Sequence, residues 1–249
     1  MIDGNTERAE DSLGRTLIVL CTYNEMANLP LAIETLQRVA PTCDILVVDD
    51  NSPDGTGNWA LAESQNPSRV GRLQLLRRAK KLGLGSALRD AIRWCLERDY
   101  EYFVNLDADL SHDPAKVPEF LALAQAESID VVIGSRYIPG GNSEGLSIVR
   151  KMLSRGLNRY AARMLKLPVR DCSGSYRCYR VSQLRGLKID QLTCDGYGFL
   201  EEILVALYRN GATLREIPIT YYDRHGGQSK LSWSDATGAL GVIRKLRQR

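Results

Sequence analysis

The stretch Tyr102-Phe103-Val104-Asn105-Leu106-Asp107-Ala108-Asp109 is an apolar, β-rich run that stops abruptly at two carboxylates. Such a run is typical of a buried strand that ends in an open site. Residues i and i+2 of a strand point the same way, so Asp107 and Asp109 can converge on one ion. Mg²⁺ and Mn²⁺ prefer such oxygen ligands, and Mg²⁺ is usually held by one or two carboxylates together with substrate phosphates. The stretch therefore favours a metal site for a phosphate-bearing substrate over its alternative, a polar turn.

Strand-like and helix-like runs alternate around this stretch. Strands are predicted over Thr16–Thr22, Asp44–Asp49, Arg72–Arg77 and Ile129–Gly134, and helices over Asn28–Val39, over Leu84–Arg98 and after Pro114. Continuous apolar strands in a β-α-β-α order predict an α/β fold with a mostly parallel central sheet flanked by helices. Ligands of such sheets bind at the carboxyl ends of the strands. Polar clusters follow four of these strands, namely Asn24-Glu25, Asp49-Asp50, Asp107/Asp109 and Arg136.

The pattern changes after Gly140-Gly141. The second half predicts an amphipathic helix with a basic face over Ile148–Leu167, a helix over Tyr197–Arg209, a strand over Ala212–Tyr221 and a helix over Trp233–Leu246. With no linker in the sequence, residues 16–249 are expected to form a single domain after a flexible segment of residues 1–15.

Composition narrows the class of protein. The chain has 249 residues, of which 44% are apolar and 25% charged, as in a soluble globular protein. A net charge of +3 is too small to argue for nucleic acid, and six cysteines without a Cys-x-x-Cys pair indicate reduced thiols. Residues 1–15 lack the apolar core of a signal peptide, and no apolar run approaches the ~20 residues of a membrane span. We therefore expect a cytoplasmic protein whose membrane contact is peripheral.

Two further motifs belong to the same sheet edge. Asp49 and Asp50, in Val48-Asp49-Asp50-Asn51-Ser52-Pro53-Asp54-Gly55-Thr56, are acceptor-only groups that suit a base N–H or ribose hydroxyls. The stretch Lys80-Lys81-Leu82-Gly83-Leu84-Gly85 opens a helix, where close backbone approach and lysine suit a diphosphate. A plain turn and a plain glycine-rich helix start are the alternatives.

Together with Thr22-Tyr23-Asn24-Glu25, these motifs resemble the N-terminal signature of glycosyltransferase family 2, which has the GT-A nucleotide-sugar-binding fold. The second-half motifs are similar to those of the dolichyl-phosphate (polyprenol-phosphate) mannose synthases of that family. They are Gly134–Tyr137, Arg150–Gly156, Asp171–Arg177 and Arg224–Lys230. The resemblance implies that residues 16–140 bind the nucleotide sugar and residues 141–249 the acceptor.

What the resemblance implies is an inverting, metal-dependent transfer of mannose from GDP-mannose to dolichyl or polyprenyl monophosphate. The nucleotide-sugar-binding residues would be Thr22, Tyr23, Glu25, Val48, Asp49, Asp50, Lys81, Gly83, Asp107, Ala108 and Asp109. Mg²⁺ or Mn²⁺ would be held by Asp107, Asp109 and Ser111, of which Ser111 replaces the family's glutamine and is a weaker ligand. The acceptor phosphate would be bound by Arg136, Arg150, Ser173, Glu202, Arg224, Ser229 and Lys230. Asp109, Arg136 and Arg224 would be the catalytic residues.

The lipid acceptor implies work at the cytosolic membrane face, directly or through a separate anchoring subunit. A basic amphipathic helix over Trp233–Arg249 that lies on anionic lipid is one hypothesis, and an ordinary C-terminal helix is the other. Two functions also remain open. One is transfer from another donor such as UDP-glucose to the same lipid phosphate, and the other is a non-catalytic nucleotide-sugar-binding subunit. A dinucleotide oxidoreductase is disfavoured, because no Gly-x-Gly-x-x-Gly follows the first strand.

Overall fold

The computed structural model describes residues 15–67, 72–223 and 241–247. Its strands are β1 (Thr16–Thr22), β2 (Asp44–Asp49), β3 (Leu73–Arg77), β4 (Tyr102–Asp107), β5 (Val131–Ser135), β6 (Asn142–Glu144), β7 (Arg177–Arg180), β8 (Leu214–Pro218) and β9 (Thr220–Tyr222). Its helices are α1 (Leu29–Val39), α2 (Thr56–Ser64), α3 (Leu84–Leu96), α4 (Val117–Ala126), α5 (Ile148–Leu165), α6 (Val181–Arg185) and α7 (Gly198–Arg209). Short 3₁₀ turns occupy Pro114–Lys116 and Ile189–Gln191, and residues 241–247 are also helical.

A seven-stranded sheet in the order β3-β2-β1-β4-β7-β5-β8 forms the centre of the fold. β7 is antiparallel to both of its neighbours, β4 and β5, whereas the other pairings are parallel. Strands β4 and β5 therefore run in the same direction as β1 and β2, and the carboxyl ends of all four share one edge. Because β7 runs the other way, the loop that precedes it arrives at that same edge.

Alternate residues of β1 serve two hydrophobic cores, as strand geometry requires. Leu17 and Val19 pack on the side of α3, α5, α7 and helical residues 241–247. Ile18 and Leu20 pack on the opposite side, with α1 and α4. All four side chains are fully buried. Burial on both faces explains the continuous apolar strands in the sequence, and the predicted fold class is confirmed.

Two predicted elements are divided in the structure. The strand predicted over Ala212–Tyr221 is interrupted at Ile219, so that β8 joins the large sheet while β9 pairs with β6 in a separate two-stranded sheet. The helix predicted after Pro114 starts with a 3₁₀ turn before α4. Because β7 and β8 belong to the large sheet, the two predicted halves of the chain share one sheet.

Strand β7 was not predicted, and its composition explains why. Its four residues, Arg177-Cys178-Tyr179-Arg180, begin and end with arginine, which rarely occupies a sheet interior. Arg177 is nevertheless fully buried, since its guanidinium donates to the carbonyl oxygens of Leu200 and Cys172, each at 2.6 Å. A charged side chain is thus accommodated by backbone acceptors brought from two other segments.

The described part of the predicted C-terminal helix, residues 241–247, packs its apolar side chains into the protein core and not towards a membrane. Ile243 and Leu246 are only 3% exposed and pack into the core beside α7. Residues 233–240 and 248–249 of that hypothesis lie outside the described residues. Within the part of the chain that the structure describes, no helix is both long and apolar enough to span a membrane.

Helix α3 and helix α5 offer a matched pair of glycines for a stability test. A Cβ at Gly85 would lie 2.5 Å from the Cys194 carbonyl oxygen and from Phe199 Cβ, whereas a Cβ at Gly156 would meet no atom of the described residues within 4 Å. We expect Gly85→Ala to lower the free energy of unfolding by about 1–3 kcal/mol through overpacking. Gly156→Ala should raise it by about 0.4–1 kcal/mol, because alanine restricts the unfolded chain. Urea unfolding measures both, and equal effects would contradict the packing described.

Candidate active site

The turn after β4 positions the two carboxylates and Ser111. Leu110 adopts the left-handed conformation, with φ 62°, which costs a leucine about 1–2 kcal/mol. This conformation folds the chain back, so that the Ser111 N–H donates to Asp109 Oδ1 at 3.0 Å. Asp109 and Ser111 are buried, while the side chain of Asp107 is 24% exposed. Strain of this kind is typical of functional turns.

The His112 side chain contacts both the backbone and the carboxylate of Asp107. The Asp107 N–H donates to His112 Nδ1 at 3.3 Å, and Asp107 Oδ2 lies 3.5 Å from the same nitrogen. Burial lowers the pKa of His112 and Arg136 lowers it further, against the opposing effect of Asp107. The imidazole is therefore neutral at pH 7, with Nδ1 as an acceptor and the remaining proton on Nε2.

Arg136, directly after β5, is held by the buried carboxylate of Asp171. Its Nε donates to Asp171 Oδ2 at 2.7 Å and its Nη2 to Oδ1 at 2.8 Å, while its backbone N–H adds a third bond to Oδ2 at 3.1 Å. Gly174 N–H completes the set at Oδ1. Burial alone would raise the pKa of Asp171, but the charge and hydrogen bonds of Arg136 outweigh it, and the pKa lies below its ordinary value. The pair is therefore fully ionised at neutral pH.

Helix α5 fixes the loop that carries Asp171. Asn158 Oδ1 accepts the backbone N–H groups of Cys172 and Ser173, at 3.0 and 3.1 Å. Ser173 Oγ accepts from both Arg136 Nη2, at 3.0 Å, and Asn158 Nδ2, at 2.9 Å. Ser173 thus lies beside Arg136, and its contact with the acceptor phosphate stays a prediction.

Loop 171–175 also reaches the carboxylate of Asp107 at the end of β4, because Ser175 Oγ donates to Asp107 Oδ1 at 2.7 Å. One five-residue loop therefore contacts Arg136 at one end and Asp107 at the other. Arg136 Nη1 makes no hydrogen bond within the described residues, so this edge of the guanidinium is available to an oxyanion. The site combines a carboxylate pair with a preoriented cation.

Asp49 organises the loops after β1 and β2. Its Oδ1 accepts from Thr22 Oγ1 at 3.2 Å and from Ser52 Oγ at 2.5 Å, and its Oδ2 accepts from Ser52 N–H at 3.1 Å. The Val48 carbonyl oxygen also accepts from Thr22 Oγ1, at 3.4 Å. Asp49 therefore has a structural role in this loop, and its direct contact with a nucleotide stays a prediction.

Asp50 lies in a second internal network. Its Oδ1 pairs with Arg78, which is itself buried and also donates to Asp90 and to Ser86 of α3. Its Oδ2 accepts from Leu82 N–H at 3.3 Å. The network joins the end of β2 to the lysine- and glycine-rich segment that opens α3. A nucleotide contact of Asp50 likewise stays a prediction.

The glycines before α3 are required by packing. Gly83 has φ 94°, and a Cβ there would collide with the Asp195 carbonyl oxygen. Ser86 N–H donates to that same oxygen at 3.2 Å. This glycine-rich segment therefore packs closely against residues 194–196, and its contact with a diphosphate stays a prediction.

The remaining residues that are predicted to bind the nucleotide lie in the loops after β1, before α3 and after β4. Lys81 Nζ lies 3.9 Å above the ring of Tyr23, and both side chains are exposed. Glu25 Oε2 accepts from Asn28 Nδ2 at 3.0 Å, at the start of α1. Ala108 is buried between the two carboxylates of the β4 turn.

On the acceptor side, Arg150 lies at the start of α5, with Nη1 3.7 Å from Asp223 Oδ2. Arg224, Ser229 and Lys230 lie outside the described residues, so their roles stay predictions.

Glu202 has an observed contact on loop 194–196. Its side chain is buried and accepts the Cys194 N–H at 2.9 Å, and its predicted contact with the acceptor phosphate stays a prediction. Its neighbour Glu201 is the α7 acid that interacts electrostatically with Arg177, Asp171 and Arg136, and burial raises the pKa of Glu201 to about 7. Helical phase explains the difference, since consecutive residues of a helix point about 100° apart.

Sequence reasoning missed several residues of this site. Asp171 and Ser175 stand in the motif Asp171–Arg177 without a predicted role of their own, and His112 has no predicted role either. A signal for Asp171 existed, because Arg136 follows a strand that is predicted to be buried. An arginine in such a place needs an acidic partner. For Asn158, inside a helix, no sequence signal existed.

The donor set fits a hard divalent cation. Asp107 and Asp109 offer carboxylate oxygens, and the buried Ser111 Oγ has no hydrogen-bond partner among the described residues. No group of three or more His, Cys, Asp or Glu side chains within residues 15–67, 72–223 and 241–247 is arranged to hold a metal ion. Such a site needs oxygens from a substrate to complete the coordination, as Mg²⁺ sites with phosphate ligands do.

Comparison with known proteins identifies a family for the chain and two relatives that match most of its length. The family model described as glycosyl transferase family 2 matches residues 17–187. An undecaprenyl-phosphate mannosyltransferase of Micrococcus luteus is 41% identical over 219 residues, which are 88% of each chain. A polyprenol monophosphomannose synthase of Mycolicibacterium smegmatis is 37% identical, over 91% of this chain and 84% of that protein.

Among solved structures, glucosyl-3-phosphoglycerate synthase from Mycobacterium tuberculosis, in complex with Mn²⁺, uridine diphosphate and glucosyl-3-phosphoglycerate, has a TM-score of 0.72 at 16% identity. The match covers 100% of this chain and 86% of that one. This similarity confirms the GT-A fold.

The fold and the family match together define a glycosyltransferase of the GT-A class. The chain belongs to glycosyltransferase family 2, and the resemblance to polyprenol-phosphate mannose synthases is confirmed by the two relatives.

The ion pair at the centre of the site allows a pH-resolved test. Asp171→Asn leaves Arg136 buried without a countercharge, so at pH 7 we expect the free energy of unfolding to fall by about 3–5 kcal/mol. Because the folded pKa of Asp171 lies below its unfolded value of about 3.9, the contribution is complete above about pH 5 and is lost as pH falls through the folded pKa. Urea unfolding should therefore show a gap between variant and parent that narrows below about pH 4.

The matched control is Asp190→Asn, since Asp190 pairs with Arg93 while its side chain is 85% exposed. An exposed pair contributes about 0–1 kcal/mol. Equal losses for the two variants, or a gap independent of pH, would contradict the assigned role of Asp171.

Proposed function

We propose that the protein transfers mannose from GDP-mannose to a dolichyl or polyprenyl monophosphate, with inversion at the anomeric carbon and with Mg²⁺ or Mn²⁺. The observation that carries this proposal is loop 171–175, which holds Arg136 through Asp171 and contacts Asp107 through Ser175. The mannosyltransferases with which the chain shares most of its length support the choice of sugar and acceptor.

The acceptor explains why the site contains a preoriented arginine. A phosphate monoester has a second pKa of about 6, so at neutral pH its oxygen is already an anionic nucleophile. Such an acceptor needs no strong general base, unlike a sugar hydroxyl. It needs a cation that holds the phosphate in line with the anomeric carbon. The planar guanidinium of Arg136, whose other edge is fixed by Asp171, suits a phosphate oxygen.

The carboxylates at the end of β4 and in the turn after it would bind the nucleotide-sugar donor through a metal ion. Asp107 and Asp109, with Ser111 as a weaker third group, would hold the divalent ion, which supplies Lewis-acid stabilisation of charge on the departing diphosphate. Lys81 and Tyr23 lie exposed at the neighbouring loop and would contact the nucleotide. Guanine as the base rests on the resemblance, since Asp49 and Asp50 are occupied by internal bonds.

The reaction is a single displacement. A lipid phosphate oxygen forms a bond to C1 of mannose as the bond from C1 to the diphosphate oxygen breaks, and the electron pair leaves with GDP. No proton has to be moved in this step. Attack from the face opposite the leaving group converts the α-linked donor into a β-linked lipid phosphate mannose. The reaction would take place at the cytosolic membrane face, with or without a separate anchoring subunit.

Transfer of radiolabelled mannose from GDP-mannose to a polyprenyl phosphate tests the proposal. We expect label in the organic phase that EDTA abolishes and Mn²⁺ or Mg²⁺ restores. Asp109→Asn should lower kcat at least about a hundredfold, because the metal-held charge stabilises the transition state by several kcal/mol. Asp99→Asn, at an exposed position, is the control and should retain parental activity.

Thermal unfolding of both variants separates lost chemistry from lost folding. GDP-mannose binding without turnover would favour the non-catalytic subunit, and transfer from UDP-glucose alone would overturn the donor. Full activity of Asp109→Asn would overturn the proposed metal site.

A further inference from the structure

The first turns of α5 expose an unusual amount of apolar surface. Ile148, Val149 and Met152 are 75%, 74% and 70% exposed, and Leu153 is 44% exposed. The buried residues of the helix, such as Ala161 and Leu165, come from its later turns. Contiguous exposed apolar residues at one helix end typically mark an interaction site.

The same helix is strongly basic. Residues 148–166 contain no acidic residue and include Arg150, Lys151, Arg155, Arg159, Arg163 and Lys166. Spacings of three and four residues place Arg155 and Arg159 on the helix face of Ile148 and Met152. Both arginines are exposed. An apolar end continued by a row of cations is complementary to an anionic bilayer, whose interior takes the apolar side chains and whose head groups take the arginines.

The opposite face of α5 contacts the candidate active site. Ser154, directly after the exposed apolar residues, has its Oγ 2.7 Å from the hydroxyl of Tyr137, the residue after Arg136. One turn further on, Asn158 donates a hydrogen bond to Ser173 of loop 171–175. The apolar end of the helix is therefore close to the cation that would receive the acceptor phosphate.

From these observations we infer that the N-terminal half of α5 is a membrane-docking element, which inserts Ile148, Val149 and Met152 into the surface of an anionic bilayer. Docking there brings the Arg136 site to head-group level, where a lipid phosphate lies. This second statement rests on the proposed function, whereas the docking itself does not. The C-terminal segment is a weaker candidate, since the apolar side chains of Ile243 and Leu246 are covered.

Vesicle flotation tests the docking directly. The full chain should float with phosphatidylcholine vesicles that contain phosphatidylglycerol, and less with phosphatidylcholine alone. The double variant Ile148→Glu/Met152→Glu should lose at least tenfold in partitioning, because two side chains would carry charge into the apolar layer. Arg155→Gln/Arg159→Gln should lose binding mainly to the anionic vesicles, and added salt should abolish that difference.

The matched control is Leu31→Glu, which places the same charge on an exposed apolar residue of α1. Its flotation should equal that of the parent protein. Unchanged flotation of Ile148→Glu/Met152→Glu, an equal loss in Leu31→Glu, or no flotation of the parent would each overturn the inference.

Transfer to a short, water-soluble isoprenyl phosphate separates docking from chemistry. The α5 double variant should transfer mannose to this acceptor at the parental rate while its transfer to polyprenyl phosphate in vesicles falls at least tenfold. If flotation depends on α5 but no acceptor is mannosylated, docking stands and the proposed function fails. If the soluble acceptor is mannosylated while flotation ignores α5, the proposed function stands and the docking inference fails.

Discussion

The ion pair between Arg136 and Asp171 is the interaction on which the arrangement of the site depends. An arginine this buried would be costly without a countercharge, and the bidentate geometry satisfies one whole edge of its guanidinium. The same carboxylate accepts the backbone N–H groups of Arg136 and Gly174, while Glu216 of β8 accepts the Asp171 N–H at 2.9 Å. Asp171 thus joins the end of β5 and the loop before β7 through its side chain, and strand β8 through its backbone.

Strand direction brings this pair to the carboxylates of β4. Because β7 runs against its neighbours, its preceding loop enters at the edge where the parallel strands end, and Ser175 meets Asp107 there. The acidic residues at this edge then divide into two kinds. Asp49 and Asp50 use their oxygens to shape loops, whereas Asp107 and Asp109, at the end of β4 and in the strained turn after it, are the residues proposed to hold a metal. The Arg136–Asp171 pair has no net charge, but the Nη1 side of the Arg136 guanidinium is still available to a phosphate.

The sequence predicts the sheet well, because strands such as Thr16–Thr22 and Asp44–Asp49 are buried on both faces and carry continuous apolar runs. It also predicts that Asp107 and Arg136 share an edge, since both follow parallel strands. It does not predict β7, whose arginines are paired with distant carbonyls, nor the support of Ser173 by Asn158. Such contacts join residues that are far apart in the chain and leave no local pattern. The choice between Glu201 and Glu202 likewise depends on how α7 packs.

Binding of an isoprenyl phosphate tests the central claim most directly, namely that Asp171 holds Arg136 as the cation for the acceptor phosphate. Calorimetric titration with farnesyl phosphate, and separately with GDP-mannose and Mn²⁺, compares the parent with Arg136→Gln. The account predicts at least a tenfold loss of affinity for farnesyl phosphate, as expected when one charge-assisted contact worth about 1.5–3 kcal/mol is removed, with little change for GDP-mannose. Equal affinities of parent and variant for farnesyl phosphate, in a variant that still binds GDP-mannose, would contradict it.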